Sequence, residues 1–146
     1  MKQPSDHDTD YMACAGCFCL ASRQAARKIT RLYDSYMQGS GVRITQFTIL
    51  SQLMLRGEMP ISKLAGLLGM ERTTLSRNLT LLEGKNWISI SAGEDPRARM
   101  IAITAQGRGL VRRGFPYWSN AQAHIGKLLG TDGQAALKLL SSRNLE

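Results

Sequence analysis

Two groups of residues in this chain have the types and spacing to do chemistry. The first is a run of thiols. Cys14, Cys17 and Cys19 fall within six residues, and the sequence has no other cysteine. An odd, clustered count is not a disulfide framework, and a reducing compartment would keep such thiols free. Three readings are open: soft side chains that pack at an interface, thiols that sense an oxidant, or ligands of a soft metal. Cys14 and Cys17 are three apart and can meet across one turn. Cys19 lies about 200° from Cys17 on a helical wheel, so the three converge on one ion only where the helix start is irregular. With no histidine nearby a fourth ligand is missing, so no metal and no cofactor is assigned. A helix start with Arg23 one turn beyond Cys19 is a setting suited to a reactive thiolate.

The second group is polar and basic: Arg72, Thr73, Thr74, Ser76, Arg77 and Asn78 in one run, Lys63 before it, and Arg97 and Arg99 after it. Guanidinium presents a planar fork that fits guanine O6 and N7, and hydroxyls meet phosphates or base edges. Leu75, Leu79 and Leu82 recur at helical spacing through this run and leave the polar residues on the free face. Thr, Ser and Asn are mediocre helix formers. A surface helix that uses them in place of Glu and Lys has a face suited to contact. A merely solvated basic face is the plainer alternative.

The elements that must hold these residues are legible. A polar, acidic stretch over residues 1–11 is expected to be a flexible tail. A long helix is expected over Ala13 to Gln38, ended by Gly39-Ser40-Gly41. Thr45 is the expected cap of a second helix that ends at Gly57, and Ser62 the expected cap of a short third helix. Gly69 suits the left-handed turn into the polar helix, which begins near Arg72. Residues 87–91 and 100–103 alternate as two strands joined by the turn-rich AGEDPRAR, which is long enough to project as a wing. Thr104 caps a further helix that Pro116 is expected to kink. Gly130 ends that helix, and Thr131-Asp132 starts the last one. The fold class is mainly α with a small β-hairpin wing: a winged helix-turn-helix over residues 44–104, flanked by helices over 12–40 and 104–146. A small winged-helix core cannot bury both flanking helices. Packing them on a second copy would do so, and they are therefore read as dimerisation helices of a homodimer.

Bulk properties agree. The chain has 146 residues and a net charge of +8. Residues 1–10 hold three aspartates and one lysine, so the remainder carries +10. A basic body is the electrostatic footprint of a nucleic-acid binder. No apolar run is long enough for a membrane span, and the N-terminus is wrong for a signal peptide, so a soluble cytoplasmic protein with no membrane partner is expected. There is no Gly-rich phosphate loop and no paired acid–base motif, and the two histidines are His7 and His124. An enzyme is the weakest reading.

By these residues the sequence resembles the MarR family of bacterial transcriptional regulators over roughly residues 15–142. The motifs that carry the resemblance are ITQFTIL at 44–50, LAGLLGMERTTLSRNLTLLEGKNWI at 64–88, and DPRARMIAIT with AQGR at 95–108. The last is similar to the family's wing signature, with Ile103-Thr104 where the family ends in Leu-Thr. The resemblance implies a homodimer on a pseudo-palindromic operator in double-stranded DNA, usually as a repressor. It also implies that Arg72, Thr73, Thr74, Ser76, Arg77 and Asn78 face the major groove. Arg97 is the wing arginine, Arg99 adds charge to the same hairpin, and Lys63 and Arg56 meet phosphates. Asp95 steadies the wing. Effectors in the family are often small aromatic compounds bound between the dimerisation helices and the DNA-binding lobe, where this chain has Tyr33, Tyr36, Trp118 and Phe47. The sequence further resembles the family's organic-hydroperoxide sensors. These carry a reactive cysteine fourteen residues before a tyrosine, the spacing of Cys19 and Tyr33; their second tyrosine is replaced by Ile44. The expected function is a homodimeric, sequence-specific DNA-binding regulator released by a small molecule or a thiol-oxidising signal. The rival is a winged-helix module for protein–protein contact.

Overall fold

The computed structural model describes residues 10–143; His7 and most of the expected tail lie outside the described residues. The chain opens with a 3-10 turn, Tyr11–Gly16, in which the Asp10 carboxylate accepts the Met12 N–H at 3.1 Å. Cys17 is extended (φ −62°, ψ 120°), and α1 runs over Phe18–Met37. The single helix expected from Ala13 is thus broken. Gly16 is a poor helix former, and the Asp10 cap favours a tight local turn before the helix proper.

A 3-10 turn at Gln38–Ser40 and left-handed Gly41 lead to α2, Ile44–Arg56. Thr45 does not cap this helix. Arg43 holds the cap position, and the orphan Ile44 N–H donates to Asp34 Oδ1 of α1 at 2.8 Å. A carboxylate from a neighbouring helix replaces the local hydroxyl and ties α1 to the lobe that follows. Asp34→Ala is expected to cost about 1 kcal/mol, as other cap losses do. In a thermal melt that is a midpoint drop of about 2–4 °C.

Gly57 (φ 80°) ends α2, and Met59–Pro60 form β1. Pro60 then caps α3, Ile61–Leu68, so Ser62 falls inside the first turn instead of before it. Left-handed Gly69 turns the chain into α4, Arg72–Gly84. Strands β2, Ile88–Ala92, and β3, Arg99–Ile103, are antiparallel, with Ile90 opposite Ile101. β1 adds a third strand on the other side of β3, giving the order β1-β3-β2. Two residues are too short for a periodicity, so this strand is invisible in sequence. α5, Ala105–Ser142, completes the fold. Its backbone stays helical through Pro116, and the break falls at Gly130 (φ 63°). The missing N–H bond at Pro116 falls on an exposed helix face and is absorbed without leaving helical angles.

The core lies within the lobe. Ile49, Leu50 and Leu53 of α2, Leu64 of α3, Leu75, Leu79 and Leu82 of α4 and Ile101 of β3 are all essentially inaccessible. The flanking helices are different. Met37 is the only buried residue of α1, and Phe18 is 91% exposed. Leu128, Leu137, Leu139 and Leu140 towards the end of α5 are also exposed.

Candidate nucleic-acid interface

α4 turns Leu75, Leu79 and Leu82 inward, so its other residues, exposed Leu81 among them, form one continuous outer face. Arg72, Thr73, Thr74, Ser76, Arg77 and Thr80 are exposed, and Asn78 is half-buried. At about 100° per residue Thr73, Arg77 and Thr80 stand at the centre of that face. Thr74 and Asn78 lie on one flank, Arg72 and Ser76 on the other. The hydroxyls are not equivalent. Ser76 Oγ donates to Arg72 O at 2.9 Å and Thr80 Oγ1 donates to Ser76 O at 3.0 Å. Both therefore offer lone pairs outward, as acceptors. Asn78 Nδ2 donates to Thr74 O at 3.0 Å, which leaves its carbonyl oxygen outward. The strong outward donors are the two guanidiniums.

The helix start is also open. Glu71 occupies the cap position without a side-chain hydrogen bond, so the first-turn N–H groups of α4 have no side-chain acceptor. Four such groups are orphaned at any helix start, and they favour an anion. Lys63 is exposed in the first turn of α3. Arg56 is exposed too, with its Nε donating to Gln52 Oε1 at 3.0 Å.

The wing is built by Asp95. Its Oδ1 accepts the Arg97 N–H at 2.9 Å and its carbonyl accepts the Ala98 N–H at 2.9 Å, while Gly93 N–H donates to Ala98 O at 2.7 Å. Asp95 thus steadies the loop through backbone, leaving the Arg97 guanidinium free. Arg97 and Arg99 are both exposed. The Asp-Pro pair is the sequence signal for this turn.

A model of the MarR family matches residues 42–97. The transcriptional regulator MosR of M. tuberculosis, solved in complex with DNA, is 33% identical, with a TM-score of 0.77 over 86% of this chain and 93% of that one. The chain belongs to the MarR family. A cysteine-to-serine variant of MarR from E. coli, complexed with operator DNA, shares the fold at TM-score 0.78, with 19% identity over 94% of this chain and all of that one. The HTH-type transcriptional regulator YwoH of Bacillus subtilis (strain 168) is 26% identical over 83 residues. That match spans 57% of this chain and 61% of the relative, less than two thirds of its length. The winged helix expected from the sequence is therefore the observed fold, and the family is one of transcriptional regulators.

In this MarR-family chain Cys14 lies in the 3-10 turn, Cys17 at the joint and Cys19 in the first turn of α1, and all three are exposed. Cys14 O accepts the Cys17 N–H at 3.1 Å. Among the described residues no group of three or more His, Cys, Asp or Glu is arranged to hold a metal ion. Cys19 and Tyr33 lie on the same straight helix, about 21 Å apart along its axis, so one chain does not bring them together. The Tyr33 hydroxyl instead donates to Gln122 Oε1 of α5, and partial burial pushes the phenol above its ordinary range. Tyr36 is hydrogen-bonded to His124 Nδ1 at 2.7 Å. Phe47 is buried and stacks on Trp118, which stacks on Phe115. Of the four aromatics, Tyr33 borders a cavity of about 670 Å³ between α1 and the end of α5, and Phe47 and Trp118 are packing residues. No helix among the described residues is long and apolar enough to cross a membrane.

Proposed function

We propose that this protein is a homodimeric, sequence-specific DNA-binding repressor whose release is triggered by a small molecule or by thiol oxidation. The observation that carries DNA binding is the outer face of α4: two outward guanidiniums, acceptor hydroxyls and an uncapped helix start, beside a wing whose arginine is held clear of its own aspartate. Arg77 and Thr73 read base edges, and the first-turn N–H groups and Lys63 hold phosphate. Arg97 enters the adjoining minor groove. The apolar side chains left exposed on α1 and α5 support the dimer, since a second copy would cover them. Two such helices about one turn of DNA apart would read half-sites centred about 10 bp apart.

A gel shift with genomic fragments tests the reading. Saturable, sequence-dependent retardation at moderate salt is the expected result; none would favour a module for protein contact. In a binding-site selection, Arg77→Ala is expected to relax the preferred base by about 1–3 kcal/mol at one position of each half-site. An unaltered preference would remove Arg77 as a reader.

The exposure of Cys14, Cys17 and Cys19 favours the oxidant signal. All three are expected to react with a thiol reagent in the native state, and an organic hydroperoxide is expected to lower both the thiol count and operator affinity. A thiolate would attack the outer peroxide oxygen, giving a sulfenic acid and releasing the alcohol. Operator binding that survives oxidation in the wild type would leave the small-molecule signal alone.

A further inference from the structure

A second polar site lies away from both the reading face and the thiols. A cleft of about 540 Å³ opens between the last two turns of α1, the start of α2 and the residue that follows α4. Its floor includes Met37 and Val42, both buried, and its walls carry Arg31, Arg43 and Lys85 against a single acid, Asp34. Only the fold assembles these charges, since they come from three elements and are spread over more than fifty residues of sequence.

The hydrogen-bond inventory of the cleft is one-sided. Asp34 Oδ1 accepts the Ile44 N–H at 2.8 Å, and Gln46 Oε1 accepts the Arg43 N–H at 3.1 Å. Ser35 Oγ donates to Leu32 O at 2.7 Å, which spends its hydrogen and keeps its lone pairs. Asp34 Oδ1 and Gln46 Oε1 are thus engaged in holding the start of α2. The side-chain donors are not. Among the described residues the amide nitrogen of Gln46 has no hydrogen-bond acceptor, and no carboxylate forms an ion pair with Arg31, Arg43 or Lys85. Lys85 Nζ is steadied 4.5 Å over the Trp87 ring, a contact that leaves its N–H groups available. The carbonyl end of α4 offsets part of the lysine charge. It does nothing for two guanidiniums on other elements. This basic face is concave, and its single acid, Asp34, makes no ion pair with any of the three cations.

We propose that this cleft binds a small polyvalent oxyanion, a polycarboxylate or a phosphate ester, through charge-assisted hydrogen bonds from Arg31, Arg43 and Lys85. Its volume suits a metabolite-sized ligand. Guanidinium pairs take carboxylate and phosphate oxygens in the same planar manner. The occupant joins α1 to the start of α2 and the end of α4, so it acts on the link between the flanking helices and the reading helix. That effect on operator binding rests on the DNA-binding function proposed above; occupancy of the cleft does not.

The test is calorimetric titration of the full chain, without DNA, with citrate and with inorganic pyrophosphate, ionic strength being balanced by chloride. Saturable binding of one anion per chain is expected for at least one probe, and the probe that binds tells carboxylate from phosphate. The double variant Arg31→Gln, Arg43→Gln is expected to lose about tenfold or more, the scale of a lost charged hydrogen bond. Lys85→Gln, a single exposed change, is expected to weaken binding in the same direction. Arg112→Gln, Arg113→Gln removes equal charge from exposed positions on α5 and is expected to bind as the wild type does. No saturable binding of either probe, or equal losses in both double variants, overturns the proposal. Neither probe binding while the cleft variant weakens operator affinity would assign the arginines to the DNA backbone, and that too overturns it. Anion binding by a wild type that retards no DNA would leave the cleft standing and remove the DNA-binding function.

Discussion

The double variant Arg97→Ala, Arg99→Ala is expected to bind operator about a thousandfold more weakly than the wild type at about 0.15 M salt. Both side chains are exposed on one hairpin, Arg97 in the loop and Arg99 at the first position of β3. In the proposed dimer the substitution removes four charges from the interface. Each neutralised phosphate contributes about 0.9 to the slope of log affinity against log salt, so the slope should flatten by about 3–4. Extrapolated from 1 M, where this contribution vanishes, that is about three decades at physiological salt. Anisotropy measurements across a potassium chloride series give both quantities. Parallel lines for variant and wild type would take the wing out of the interface. Asp95→Ala makes a useful contrast. It keeps both arginines but removes the acceptor that holds the Arg97 N–H, so affinity should fall modestly while the slope is preserved. The two variants thus separate the charge of the wing from its shape.

Most of the winged helix was legible because its signals are local. Leu75, Leu79 and Leu82 repeat at helical spacing and are all buried, Gly69 takes the left-handed turn its position suggested, and Thr104 caps α5 as expected. What escaped the sequence depends on partners distant in the chain. Thr45 and Ser62 are good capping residues at plausible positions, yet Asp34 from another helix and Pro60 at the end of a two-residue strand take those roles. Local propensity cannot rank a hydroxyl one residue away against a carboxylate ten residues back. The thiol segment failed for the opposite reason. Its periodicity fits one helix, but Gly16 and the Asp10 cap favour a separate turn, so Cys17 is extended at the joint. The basic cleft has no sequence signature at all, because Arg31, Arg43 and Lys85 each sit in an unremarkable local context.

Gly107→Ala should be the most damaging single substitution at the root of the wing, although alanine is the better helix former by about 1 kcal/mol. Gly107 is buried in the first turn of α5, where its N–H donates to the Thr104 cap at 3.1 Å. A Cβ there would lie 2.2 Å from Trp87 O and 2.8 Å from Ile103 Cγ1. The first is backbone and cannot rotate aside. It is also the acceptor for Thr104 N–H at 3.1 Å, and Thr104 Oγ1 reaches Asn86 O at 2.6 Å. Relief of the clash therefore means separating the root of β2 from α5 and straining both bonds that join the wing to the helix. We expect a loss of about 2–3 kcal/mol, at the upper end for overpacking. At fixed protomer concentration that is a fall of about 4–12 °C in the thermal midpoint. Gly109→Ala, two residues on, is the control. Its Cβ would meet Arg113 Nη1 at 3.2 Å, the mobile end of an exposed side chain. That variant should be neutral or more stable by up to about 1 kcal/mol. Equal effects at the two positions would show that helix propensity, and not the contact with Trp87, governs this turn. A wing loosened at its root would also present Arg97 less firmly. Gly107→Ala at a temperature where it remains folded should then resemble Asp95→Ala, with operator affinity reduced and the salt slope retained.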